Sequence, residues 1–345
     1  MFSAIESKIK YISLHFVGNK LRDENYILSK SLTDNIENTA DILINYFFNS
    51  FKSTEYFNFH HDINLSMNEV FVCISEIFNN PEILLEQSVN LAKHLYEQST
   101  HPKIKGGEFY TVYFKNCIID GETIDAIGLF KSENKDVFLE IDRIKDGFSI
   151  DSRKGVNVNK LDKGCLVFNK EKNNGYIVSI VDNTNKGTEA QYWIDDFLHV
   201  RPRKDEYYNT QNVLSLCKNF VKNKLPQQFE VSKADQADLI NKSVKFFKEK
   251  SSFDLNEFAN EVIRQKDIIE SFNNFKTDYQ KERDVDIVDN FQISENAVKK
   301  GIRALKNVIK LDKNFDIYIH GDRNLIEQGV DEKGKYYKVY YKEEK

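Results

Sequence analysis

The residues with most to offer chemically are cations set close together. Lys299, Lys300, Arg303, Lys306 and Lys310 share a short stretch in which Glu295 is the one acid. A helix there would align Lys299, Arg303, Lys306 and Lys310 beside an apolar stripe of Val298, Ile302, Leu305 and Ile309. Such a helix could dock on a core and turn its charges to solvent. Cations presented this way neutralise phosphates and release counterions. A hairpin competes with this reading: residues 303–311 run into Asp312-Lys313-Asn314 and the apolar stretch from Phe315, and a strand arm would disperse the cations. A solvated basic face without a partner is the plain alternative in both cases. A second group, Arg201, Arg203 and Lys204 around Pro202, lies beside Tyr207 and Tyr208. Arginine next to aromatics suits phosphate and base-stacking contacts, and an interdomain loop suits it equally.

Other chemistry finds less support. Asp125, Glu140 and Asp142 could hold magnesium against a scissile phosphate. However, Arg143 follows Asp142 where a nuclease strand would want an acid, one spacer and a lysine. His60 and His61 are adjacent, so on a regular element their side chains diverge and cannot share one ion. His320 ends a strand-like run before Gly321-Asp322 and reads as a strand-end residue. Cys73, Cys117, Cys165 and Cys217 are widely spaced among apolar neighbours and read as buried thiols. Lys105-Gly106-Gly107 precedes a strand and lacks the helix and Lys-Ser/Thr of a phosphate loop. Neither a nucleophile elbow nor a metalloprotease helix is present. No catalytic residue, cofactor or metal is expected.

These side chains need elements to hold them. The chain has 345 residues, 40% of them hydrophobic, with 26 Phe and 17 Tyr, enough apolar material for two domains. Its formal charge of −5 argues against coating nucleic acid through overall positive charge, so DNA contact needs a local basic surface. No apolar run reaches the roughly 20 residues of a membrane helix, and residues 1–10 lack a signal pattern. A cytoplasmic protein without a membrane partner is expected.

Alternation predicts strands over residues 8–16, 26–29, 108–115, 123–131, 137–144, 165–168 and 176–181, with Asp120-Gly121 as a hairpin turn. Helical spacing predicts helices from Thr33 or Asp34 to Phe51, from a Ser66 cap with Glu69 to Phe78, and from Pro81 to Gln98. Further helices are predicted over 189–197, 210–222, 232–248, 254–263 and 267–283. Strand-like runs at 315–320 and 336–341 close the chain. The polar stretch around Pro226 marks the expected boundary. The architecture read from this is α+β: an N-terminal mixed sheet-and-helix domain with an antiparallel meander over 1–225, then a smaller helical domain ending in a β-hairpin over 226–345.

The order of segments resembles the NdpA/YejK-type nucleoid-associated proteins of bacteria. The resemblance is carried by Gly107-Glu108-Phe109-Tyr110-Thr111-Val112-Tyr113-Phe114, by Phe138-Leu139-Glu140-Ile141, by Gln191-Tyr192-Trp193-Ile194-Asp195-Asp196-Phe197-Leu198 and by Asn314-Phe315-Asp316-Ile317-Tyr318-Ile319-His320-Gly321-Asp322. It spans nearly the whole chain through motifs that are structural. It implies a chromosome-associated, nucleoid-located protein that binds double-stranded DNA and catalyses nothing, and it favours the strand reading of 303–311. A homodimer and other nucleoid proteins are compatible partners. A module recruited to the nucleoid by another protein is the first alternative, and the metal-dependent nuclease the second.

Overall fold

Aromatic and β-branched residues alternate so evenly through the first half of the chain that both faces of its strands are apolar, which demands cover on each side. The computed structural model, which describes residues 2–184, 192–303, 305, 308–319 and 323–344, supplies that cover within the first of two compact units, Met1–Arg203 and Lys204–Lys345.

The first unit runs β1 (Phe2–Ser3), β2 (Lys8–Val17), β3 (Tyr26–Ile27), α1 (Ala40–Phe48), β4 (Phe57–Phe59), α2 (Glu69–Asn79), α3 (Leu84–Gln98), β5 (Gly107–Ile119) and β6 (Glu122–Ser132). It continues with β7 (Asp136–Ile144), β8 (Gly147–Gly155), β9 (Lys163–Phe168), β10 (Ile177–Asp182) and β11 (Val200–Pro202). Antiparallel pairing gives the order β11-β4-β10-β9-β6-β5-β2-β3, with β1 added on β5. Asp120 (φ 50°) and Gly121 (φ 81°) turn β5 into β6, the two positive φ values that a tight primed turn requires. β7 and β8 pair only with each other, as a separate ribbon.

Phe109, Tyr113, Ile127, Leu129, Cys165 and Val167 share one core cluster with residues of α2 and α3. The intervening Val112, Phe114, Phe130, Leu166 and Phe168 share another with Phe47 and Phe48 of α1. The sheet is therefore the middle of three layers. Phe47 stacks on Phe130 at 4.2 Å and 14°. Gly128 makes room for it, since a Cβ there would stand 2.3 Å from the Phe130 ring and 2.8 Å from Phe114.

Local capping revises several boundaries. The helix expected from Thr33 or Asp34 begins at Ala40, with Thr39 in the N-cap position. The cap of α2 is Asn68, not Ser66: its side-chain oxygen accepts from Phe71 N–H at 2.8 Å while its amide donates to the carbonyls of His60, Leu198 and His199. The helix expected over 189–197 is a π turn at Ile194–Leu198, and residues 189–191 lie outside the described residues.

The second unit contains α4 (Glu206–Asn219), a π turn at Phe220–Lys224, α5 (Leu225–Gln228), α6 (Lys233–Glu249), β12 (Ser252–Asp254), α7 (Leu255–Phe258), α8 (Lys266–Arg283) and β13 (Asn290–Gln292). It ends with α9 (Glu295–Ile302), β14 (Val308–Leu311), β15 (Phe315–Tyr318), β16 (Ile326–Asp331) and β17 (Gly334–Val339). Its core joins Val213, Cys217 and Phe220 to Phe246, Phe258 and Phe272. That packing places the division of the chain at Arg203/Lys204, ahead of the 225/226 boundary expected from composition. Pro226 falls in α5, which continues without a break from α4 through the π turn, so the proline lies inside one helical run and marks no boundary. The closing hairpin is β16–β17, and β14–β15 forms a second one before it.

Candidate nucleic-acid interface

The stretch from Lys299 to Lys310 is neither one helix nor one strand. α9 stops at Ile302 and the chain resumes as β14 at Val308, so the four-cation helical stripe does not form. Ser294 caps α9 by accepting from Ala297 N–H, and Ala297 and Val298 are buried. Lys299 is exposed and reaches Glu295 one turn back at 3.6 Å, a pairing worth only a few tenths of a kcal/mol, about 0.3–0.5 at an exposed helical site. Lys300 lies over the Tyr207 ring at 5.6 Å. Arg303 is exposed just past the last turn. Lys306 lies outside the described residues, as do His320, Gly321 and Asp322.

Lys310 has a different setting. Ile309 points into a small core with Ala234, Ala237, Ile319 and Ile326, which holds β14 against α6. Lys310, exposed on the same strand, lines a cavity of about 290 Å³ together with Lys222, Lys233, Gln236, Ala237 and Ile240. Among the described residues no carboxylate lines this cavity. Burial, with Lys218 and Lys233 nearby, holds the Lys222 ammonium below the ordinary lysine range. Lys233 donates to Gln236 Oε1 at 3.2 Å. Lys222 and Lys233 were not among the residues singled out from sequence. They are distant in the chain from Lys310, and only the packing of β14 on α6 adds it to them.

The second predicted cluster is already neutralised. Arg201 on β11 pairs with Asp62 at 3.0 Å, Arg203 with Glu171 at 2.7 Å, and Lys204 with Asp286. The unit division falls within this cluster, with Arg201 and Arg203 in the first unit and Lys204 in the second. Two further lysines are spent inside the first unit: Lys131 and Lys163 are fully buried, paired with Glu133 at 3.3 Å and Asp182 at 2.7 Å, and both lie over the Tyr192 ring.

The acids considered for a nuclease are separated. Asp125 on β6 accepts from Tyr113 at 2.7 Å and Lys115 at 2.6 Å, whereas Glu140 and Asp142 lie on the β7–β8 ribbon, Glu140 paired with Arg153. His60 and His61 occupy an irregular loop where both rings lie alongside His199, at 6.5 and 5.7 Å. His60 contacts Asp62 at 3.1 Å. Among the described residues no group of three or more His, Cys, Asp or Glu side chains is placed to hold a metal ion. All four cysteines are buried and unpaired by disulfides.

Exposed cations on an α+β scaffold without a metal cluster among the described residues suit a binding protein for anionic partners. The sequence matches the model of the family described as nucleoid-associated protein YejK over residues 13–337. The chain is a member of that bacterial, non-enzymatic family, and membership supports a DNA-binding role. No curated protein matches it in sequence. No helix among the described residues is long and apolar enough to cross a membrane.

Proposed function

We propose that the chain binds double-stranded DNA in the nucleoid through backbone phosphates, with little reading of sequence, and that the second unit provides the grip. The observation that carries this reading is the cavity that Lys222, Lys233 and Lys310 line, with no carboxylate among its described lining residues. Burial, with Lys218 and Lys233 nearby, holds Lys222 below its ordinary protonation range. A phosphate oxygen would relieve the repulsion from those neighbouring lysines. Lys299, Lys300 and Arg303 extend the cationic surface with longer reach. Arg201, Arg203 and Lys204 contribute less, since each must first leave a carboxylate.

The test is fluorescence anisotropy with a labelled duplex of arbitrary sequence. The triple variant Lys222→Gln/Lys233→Gln/Lys310→Gln is expected to lose affinity uniformly across sequences, whereas Lys204→Gln changes little. Unaltered binding by the triple variant would remove this surface from the account. A wild-type protein that ignores duplex DNA would favour recruitment by another nucleoid protein instead. Nicking of supercoiled DNA with magnesium would restore the nuclease.

A further inference from the structure

The β7–β8 ribbon is amphipathic, and its apolar face is uncovered. Strand alternation and register put Val137, Leu139 and Ile141 on one side with Phe148 and Ile150 across from them. These five side chains are 61–66% exposed. The carboxylates Asp136, Glu140, Asp142 and Asp151 all fall on the opposite side, which holds Phe138 and Ile144 as its apolar residues. An antiparallel pair that segregates its residues this way is built to bury one face. Contiguous exposed apolar patches of this kind mark interaction surfaces.

We propose that the occupant is the same face of a second copy of this chain, forming a two-fold dimer. Two features of the ribbon select a copy of itself. The first is area. The five apolar residues with Ser152 among them and Arg143 and Lys154 at the two ends offer on the order of 700 Å² per copy, close to the roughly 800 Å² each partner gives to an ordinary specific interface. The second is the disposition of charge. Arg143 lies opposite Phe148 at the turn end of the ribbon, and Lys154 opposite Val137 at its base. With the two-fold axis along the ribbon, β7 of one copy lies over β8 of the other. Arg143 then meets the face of Phe148 of the partner subunit, a favourable cation–aromatic contact. Lys154 lays its aliphatic stem on Val137 of the partner subunit, and Ile141 packs on Ile150 of the partner subunit. The same patch serves both sides of a closed pair. This inference concerns the first unit and stands independently of the DNA reading.

Sedimentation equilibrium or light scattering on the full chain at tens of micromolar tests it. The wild type is expected to be a dimer, and Leu139→Asp and Ile150→Asp to be monomers with unchanged far-UV circular dichroism. Asp142→Lys, on the opposite face, should remain dimeric. These substitutions fall on exposed positions, so folding is not at stake. A monomeric wild type, or Leu139→Asp and Ile150→Asp variants that still dimerise, would overturn the proposal.

Discussion

At the scale of single residues, environment decides which charges can act. His15 is buried in β2, where its Nδ1 accepts from Ser29 N–H at 3.1 Å, so its Nε2–H donates to Ser88 Oγ at 2.8 Å. Burial lowers its pKa from 6.5 to about 4. The unfolded chain therefore takes up a proton on this residue before the folded one does. Its contribution to stability is complete above pH 6.5 and is lost as pH falls toward 4. Urea titrations across that window should show the stability difference between wild type and His15→Gln narrowing as pH falls; a difference independent of pH would refute this assignment. Residue type alone could not have separated such cases. Lys131, Lys163 and Lys310 look alike in the sequence, yet two are sealed against carboxylates and one opens on a cavity.

At the scale of elements, the sequence was most legible where a pattern was long or a cap was chemically unambiguous. Ser232 and Asp254 were expected to start helices and do so, Ser232 within a reciprocal capping box with Asp235. Ser232→Ala should cost about 1 kcal/mol in chemical denaturation. β5 and β6 were visible from their alternation, but the sequence did not reveal that Gly128 yields its side-chain volume to the Phe47–Phe130 stack. Gly128→Ala should destabilise by about 1–3 kcal/mol through overpacking, and a variant as stable as wild type would show that the rings can move aside. β8 and β16 were missed for a shared reason. Gly147 to Gly155 and Ile326 to Asp331 carry Gly and charge within short runs, and each becomes a strand only because a preceding or following neighbour supplies its hydrogen bonds. The basic stretch left helix and hairpin open, and the chain uses both in succession: Ser294 starts α9, and the turn after Leu311 pairs β14 with β15.

At the scale of the whole molecule, an anionic chain belongs to a nucleoid-associated family, so the direct grip on DNA proposed for it has to be local. Composition made that requirement readable in advance and left the location open, because the lysines of the proposed site come from α6, β14 and the π turn between α4 and α5. The most direct test is the affinity for a short duplex at a series of sodium chloride concentrations. Each phosphate neutralised contributes about −0.9 to the slope of log affinity against log salt, so a grip by Lys222, Lys233 and Lys310 predicts a wild-type slope of about −3 or steeper. Their triple replacement by glutamine should shallow it by about 2 to 3. A wild-type affinity indifferent to salt, or a slope that the triple variant leaves unchanged, would contradict the account.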